Sequence, residues 1–231
     1  MPQVNTVCYT HKKNHAVFQI KNRVFFIYFY TMEIDHLQAC SVLRAHIEIF
    51  VKIPDDDWVL LLPHLTLNIL RKNQFFIQEG KKETRVGFVL DGMLRQFYTK
   101  DGEEKTTYFF FENHLVTSYV SCITGKPSLV SIEALSKVVH LSFPYKTLQE
   151  LFDKSMAWQK FGRLIAEYLG IGLEERMVSL LLQSPEERYI ELLNSNKKKI
   201  IERIPQHYIA NYLGITAVSM SRIRNRILKS K

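Results

Sequence analysis

Ile204-Pro205-Gln206-His207-Tyr208-Ile209-Ala210-Asn211-Tyr212-Leu213-Gly214-Ile215-Thr216, running on through Ala217 into Val218-Ser219-Met220-Ser221-Arg222-Ile223-Arg224-Asn225-Arg226, reads as a helix-turn-helix. Small Ala210 lets two helices approach, and Gly214 four residues later supplies the positive φ of a tight turn. Ile209 and Leu213 on the first helix face Met220 and Ile223 on the second as one apolar seam. Thr216 stands where the second helix must start, so its hydroxyl can cap the free N–H groups there. Arg222, Arg224 and Arg226 follow on the exposed side. A basic helix that begins just past a tight turn suits the major groove of DNA.

The placement of charge supports this reading more than its total does. Residues 195–231 hold nine basic side chains (Lys197, Lys198, Lys199, Arg203, Arg222, Arg224, Arg226, Lys229, Lys231) against the single acid Glu202. That surplus of eight equals the formal net charge of the whole chain, +8. The preceding residues are therefore charge-balanced, a globular body with a basic tail domain. A basic run alone is often only a solvated terminus. One that coincides with helix-turn-helix spacing points to nucleic acid.

At 231 residues with 46% apolar content, the chain is long enough for one large domain or two small ones with a proper core. Cys8, Cys40 and Cys122 lie far apart with no C-x-x-C pair, which argues against a disulfide framework and against zinc or iron–sulfur sites. A cytoplasmic location is expected. The eight histidines show no ligand spacing either, so no metal site and no cofactor are expected.

Residues 1–31 read differently from the rest. Lys12 and Lys13 followed by Val24-Phe25-Phe26-Ile27-Tyr28-Phe29-Tyr30 loosely resemble a signal peptide, and Leu37-Gln38-Ala39-Cys40 mimics a lipoprotein cleavage box. The apolar patch is shorter than the roughly 20 residues a bilayer span needs, and Glu33, Asp35 and His36 separate it from Cys40, so no membrane partner is expected. Met32 opens the first ordinary amphipathic stretch, and residues 1–31 are read as a non-native or flexible extension. An edge strand or tail docked on the body is the alternative.

Residues 33–50 look helical, and Pro54-Asp55-Asp56-Asp57-Trp58 starts a second helix with three carboxylates complementing its dipole. From Leu65 to Leu141 the pattern turns to short β-rich runs (75–77, 85–90, 94–99, 106–111, 130–134, 138–141) punctuated by Gly80, Asp91-Gly92, Asp101-Gly102 and Gly125. Strands this short and evenly spaced imply a jelly roll or small barrel. Pro144 opens a short helix, and Ser155 to Gln183 reads as one long helix ended by Ser184-Pro185. Phe161, Ile165, Leu169, Leu173, Met177 and Leu180 recur at spacings of four and three, read as a dimer seam with packing against the helix's own domain as the alternative. Gly170 and Gly172 interrupt that helix as a kink, a close helix crossing or a hinge. Glu186 to Leu193 forms a further helix, and Lys197 to Glu202 a basic connector.

This order of lead-in helices, Gly-punctuated β-roll, long helix and terminal helix-turn-helix resembles the Crp/Fnr family of bacterial transcription regulators over about residues 33–229. Asp91-Gly92-Met93-Leu94-Arg95 looks like the family's hairpin turn. Ser184-Pro185-Glu186-Glu187-Arg188-Tyr189 looks like the approach to its DNA-binding module. The expected fold is α+β: an effector-sensing β-roll over 32–154, a dimerisation helix over 155–184 and an all-α helix-turn-helix domain over 185–231. The resemblance implies a homodimer that reads a palindromic site on double-stranded DNA with the helix 216–229, senses a small effector through its β-roll, and has RNA polymerase as a further candidate partner.

The effector positions depart from the family. Cyclic-nucleotide-binding members hold the ribose with a glutamate and the cyclic phosphate with an arginine about ten residues later; here Ser118 and Ser128 stand at those positions. Lys126 is the nearest cation, and the glycine expected near Asn113 is missing. No tight cyclic AMP binding is expected, and Thr117, Ser118, Tyr119 and Ser128 are read as a remnant or repurposed pocket for an unknown effector. The cysteine cluster of iron–sulfur members is absent too.

In the recognition helix, Ala217 and Val218 replace the usual polar base-readers and could touch a thymine methyl, Arg222 could pair with guanine O6/N7, and Thr216, Ser219 and Ser221 can reach phosphate or base edges. A phosphate anchor without sequence information is the alternative for Arg222. Arg224, Arg226 and Lys229 read as positioning charges. The sequence stops at Lys231 without the β-hairpin that follows this helix in many members, so contact is expected from the helix and from Lys197, Lys198 and Lys199. Two rival functions remain. A cupin-like metal enzyme would need paired histidines, whereas His114 and His140 stand alone, so no catalytic residue is assigned. A β-roll sensor that acts on a protein partner is the other.

Overall fold

The computed structural model describes residues 15–20, 23–28, 35–194 and 198–229. The chain divides into two compact units, Met1–Gln38 and Ala39–Lys231. In the first, β1 (His15–Ile20) pairs antiparallel with β2 (Arg23–Tyr28) in a register that sets His15 against Tyr28. Two strands of the segment read as an extension therefore pair with each other; residues 1–14, 21–22 and 29–31 lie outside the described residues.

The lead-in helices are α1 (His36–Glu48) and α2 (Asp55–Val59), followed by a 3-10 turn over Leu62–His64. Pro54 sits at the N-cap of α2 rather than inside it, and Asp55, Asp56 and Asp57 fill its first turn. Then come β3 (Thr66–Leu70), β4 (Phe75–Ile77), β5 (Arg85–Asp91), β6 (Leu94–Lys100), β7 (Glu103–Phe110), β8 (Leu115–Val116), α3 (Tyr119–Thr124), β9 (Ser131–Ala134) and β10 (Val138–Pro144). These strands form two antiparallel sheets, ordered β3-β10-β5-β8 and β4-β9-β6-β7. Phe76, Val89, Leu94, Phe110, Val116, Ile132 and Val138 fill the space between them.

Local chemistry sets the turns. Lys100 pairs with Glu103, and the two residues between them, Asp101 at φ 53° and Gly102 at φ 79°, make the doubly positive turn that matches hairpin twist. Gly92 has φ 99°, and a Cβ there would stand 2.3 Å from the Lys137 carbonyl, so only glycine fits. The segment Tyr119-Val120-Ser121-Cys122-Ile123-Thr124 has the β-branched composition of a strand, yet it forms α3, closed by Gly125 at φ 67°. Its Ser121 hydroxyl accepts from Glu83 N and donates to the Lys126 carbonyl, so tertiary bonding overrides propensity.

Five helices complete the chain after α4 (Tyr145–Lys154): α5 (Met156–Leu182), α6 (Pro185–Asn194), α7 (Lys198–Arg203), α8 (Gln206–Leu213) and α9 (Ala217–Lys229). Ser155 caps α5 by accepting from Trp158 N at 3.3 Å, and it donates to Asp57 Oδ2 at 2.5 Å, which pins the helix start to α2. Trp58 and Trp158 stack at 6.3 Å beside Phe161. The two glycines singled out in α5 make no close crossing within the chain, since a Cβ on Gly170 or Gly172 would meet nothing within 4 Å and the helix continues unbroken. The close crossing lies at Gly162, where a Cβ would fall 2.6 Å from the Phe152 ring of α4. The expected connector after residue 197 is instead the helix α7, because Ile200 buries into the terminal module.

Candidate DNA-binding module and its junction with the β-roll

The terminal helices share one core of Tyr189, Leu192, Ile200, Ile204, Ile209, Ala210, Leu213, Met220 and Ile223. Ser184 and Glu187 begin α6 with a capping box: Glu187 Oε2 accepts from Ser184 N at 2.7 Å, and Ser184 Oγ accepts from Glu187 N at 3.3 Å. α8 ends in a Schellman turn in which Gly214 takes φ 75°, Gly214 N donates to the Asn211 carbonyl and Ile215 N to the Ala210 carbonyl. Thr216 Oγ1 then accepts from Ser219 N at 3.2 Å, the N-cap that its position implies.

Thr216, Ala217, Val218 and Arg222 are exposed at the start of α9, with Ser219 and Ser221 half-buried beside them. Val218 and Arg222, four residues apart, share a face. Arg224 is half-buried, and Arg226 is held by Glu186 of α6 at 2.6 Å, so this arginine braces the module. Lys198 pairs with Glu202 at 3.3 Å on the solvent side of α7; Lys197 lies outside the described residues.

Two arginines fasten α8 to the long helix. Arg188, buried, donates to the Leu213 carbonyl at 2.8 Å and to the Ser179 and Gln183 carbonyls at the end of α5. Arg176 donates to the Tyr212 carbonyl and covers the Tyr212 ring at 3.9 Å.

The module is also docked on the β-roll through residues that the sequence reading passed over. Asn211 of α8 plugs the free edge of β7: its Oδ1 accepts from Thr106 N at 2.6 Å, and its Nδ2 donates to the Glu104 carbonyl at 2.7 Å. Arg95 of β6, 2% exposed, pairs with Glu104 at 2.6 Å and Glu133 at 3.0 Å, and lies 4.1 Å from both the Phe97 and Tyr208 rings. Arg203 of α7 donates bidentately to Glu112 at 2.6 and 2.7 Å. Burial alone would raise the Glu112 pKa, but the bonds from Arg203, helped by backbone N–H groups, win and hold it below the ordinary carboxylate range.

The expected effector residues are brought together but turned on themselves. Ser128 Oγ donates to Ser118 Oγ at 2.8 Å with both side chains buried, and Thr117 Oγ1 donates to the Arg85 carbonyl at 2.7 Å. Tyr119 is exposed on α3. A cyclic phosphodiester needs a cation at its anionic oxygens, and at these two positions the site offers neutral hydroxyls spent on each other. The residues do not fit a cyclic nucleotide.

Of the expected seam on α5, Phe161 is withdrawn: it is 3% exposed and packs edge-on against Trp158 and Phe50 in the chain's own core. Ile165 is half-buried, whereas Leu169, Leu173, Met177 and Leu180 are exposed.

A cyclic nucleotide-binding domain model matches residues 67–155, the β-roll with α4. The fumarate and nitrate reduction regulatory protein of Vibrio cholerae is 25% identical over 208 residues, covering 85% of this chain and 82% of that protein. The chain carries a cyclic nucleotide-binding fold and resembles Crp/Fnr-family proteins. Among solved structures, a Crp/Fnr-family regulator from Eubacterium rectale shares the fold with a TM-score of 0.62 at 18% identity, over 77% of this chain and 85% of the other. FixK2 from Bradyrhizobium japonicum shares it with a TM-score of 0.61 at 18% identity, over 72% and 85%. The Vibrio cholerae relative is by name a regulatory protein, which favours a regulator over the metal-enzyme alternative. No helix among the described residues is long and apolar enough to cross a membrane.

Proposed function

We propose that this chain is a dimeric, cytoplasmic, DNA-binding transcription regulator whose α9 helices enter the major groove at a palindromic site. The observation that carries this reading is the exposed start of α9, where Thr216, Ala217, Val218 and Arg222 stand clear of a rigidly capped turn. Fluorescence anisotropy on DNA from upstream of its own gene and on scrambled DNA tests it. Preference for the upstream DNA, unchanged by cyclic AMP, is the expected result; equal binding to both would refute sequence reading.

Arg222→Ala should cost about 1–3 kcal/mol on the preferred site and relax its sequence preference, because one guanidinium reads two acceptors of a guanine. Lys198→Ala should weaken both DNAs alike and lower the salt slope by about 0.9, the signature of one lost phosphate contact. Equal losses on both DNAs for both variants would count against the assignment.

Exposed Leu173 and Met177, 72% and 55% accessible, support α5 as the two-fold seam, since so many apolar groups along one helix need a cover. The small Gly170 and Gly172 leave room there for a second helix. Leu173→Glu is expected to give a monomer in sedimentation velocity; an unchanged dimer would move the seam elsewhere.

A further inference from the structure

Glu112 occupies two basic side chains of the DNA-binding module at once. Arg203 meets it bidentately at 2.6 and 2.7 Å, and Lys199, one turn earlier on the same helix face, stands 3.8 Å away. The fork that grips a carboxylate in this way matches two phosphate oxygens equally well. Arg203 also lies two residues before Pro205, which caps the start of α8, the first helix of the helix-turn-helix. In this motif the first helix crosses the DNA backbone, so a cation at its start stands where a phosphate passes. Glu112 belongs to the other domain, in the loop between β7 and β8, and is only partly exposed.

We propose that Arg203 and Lys199 form a DNA-backbone phosphate site, and that the β-roll masks it with Glu112 as a built-in competitor for the phosphate. The inference rests on the DNA-binding reading above and adds a mechanism to it: movement of the β7–β8 loop frees two cations for DNA, with no change in the recognition helix itself. The device is electrostatic, so its strength is written in the salt dependence of binding.

The test compares wild-type full-length protein with Glu112→Gln, Arg203→Ala and the double variant, by anisotropy on upstream and scrambled duplexes from 50 to 200 mM salt. The amide of Glu112→Gln keeps an acceptor for Gly92 N, which Glu112 Oε1 now takes at 3.3 Å, and removes only the charge. Glu112→Gln should bind both duplexes about tenfold more tightly at the low-salt end, with a slope steeper by about 2, roughly 0.9 for each freed cation. Arg203→Ala alone should leave the slope nearly unchanged, because that arginine is already occupied, and in the Glu112→Gln background it should abolish most of the gain.

A gain that survives Arg203→Ala overturns the proposal. So does an equal gain from Arg203→Ala alone, which would mean that undocking the module, and not freeing a cation, helps binding. Normal preference for the upstream duplex with no effect of Glu112→Gln overturns it while leaving the DNA-binding reading intact. Loss of DNA binding by all four proteins, each melting as a folded chain, overturns that reading along with it.

Discussion

Replacing Arg95 with alanine is expected to remove about 3–5 kcal/mol of folding stability, the range for deleting one partner of a buried ion pair. Arg95 is 2% exposed, and Glu133, which it meets at 3.0 Å, has a side chain only 14% exposed. Alanine would leave that carboxylate with little water and no cation, and would also strip the guanidinium from between the Phe97 and Tyr208 rings. Tyr208 belongs to α8, so the loss reaches the terminal helical module as well as the β-roll. Arg95 is not fully satisfied even now, because its Nε is buried without a partner. A paired replacement, Arg95→Met with Glu133→Leu, should therefore recover most of the stability, since it removes the desolvation cost with the pair. Urea unfolding followed by fluorescence decides the matter. An alanine variant within about 0.5 kcal/mol of wild type, the ordinary range for a surface substitution, would mean that the packed rings alone hold the junction.

The junction also marks where sequence reading stops working. The helix-turn-helix was legible because its determinants are local: Ala210, Gly214 and Thr216 sit within seven residues, and each acts on backbone groups of its own turn. The ends of α5 were legible for the same reason, through the Ser155 cap and Pro185. Arg95, Glu112, Asn211 and Arg203 act on partners up to 107 positions away, and no periodicity links them. One signal was present, an arginine within the otherwise apolar or neutral run from Leu94 to Thr99, and a charge inside a strand that buries Leu94 and Phe97 asks for a partner. Phe161 failed for a different reason. Its spacing fits the stripe, but the first turns of α5 pack on Phe50 and Trp58, so only the stripe from Leu169 onward reaches the surface. Helical periodicity identifies the apolar face and says nothing of what covers it. Likewise Ser118 and Ser128 could be recognised as departures from a cyclic-nucleotide site, but their mutual hydrogen bond needed the fold to bring residues ten apart face to face.

Lowering the pH from 7.5 to 5 should cost this protein about 4 kcal/mol, a large share of the 5–15 kcal/mol that holds most domains folded. His114 and His140 both have pKa values pushed down to about 4 from an ordinary 6.5. Burial is the main cause in each case; the nearby Lys199 and His46 add to it at His114, and Arg85 at His140. Geometry agrees, since the Nδ1 of each ring is buried without a partner and His140 is 3% exposed against the Phe76 ring. Folded, these imidazoles stay neutral down to about pH 4; unfolded, they take up protons from pH 6.5. Between those values the unfolded chain binds more protons, so stability falls as the pH falls, by about 2 kcal/mol for each ring at pH 5. His46, also lowered by burial, acts in the same direction. Glu112 does not confuse the measurement: its pKa lies below 4.5, so the stability it contributes is present above that value and lost only in stronger acid. Urea midpoints at pH 7.5, 6 and 5 should therefore drop steeply across the last interval, and His140→Leu should flatten the drop by about half. A midpoint that stays constant to pH 5 would show that the two rings are hydrated or hydrogen-bonded in the folded protein, and that neither carries the acid sensitivity assigned to it here.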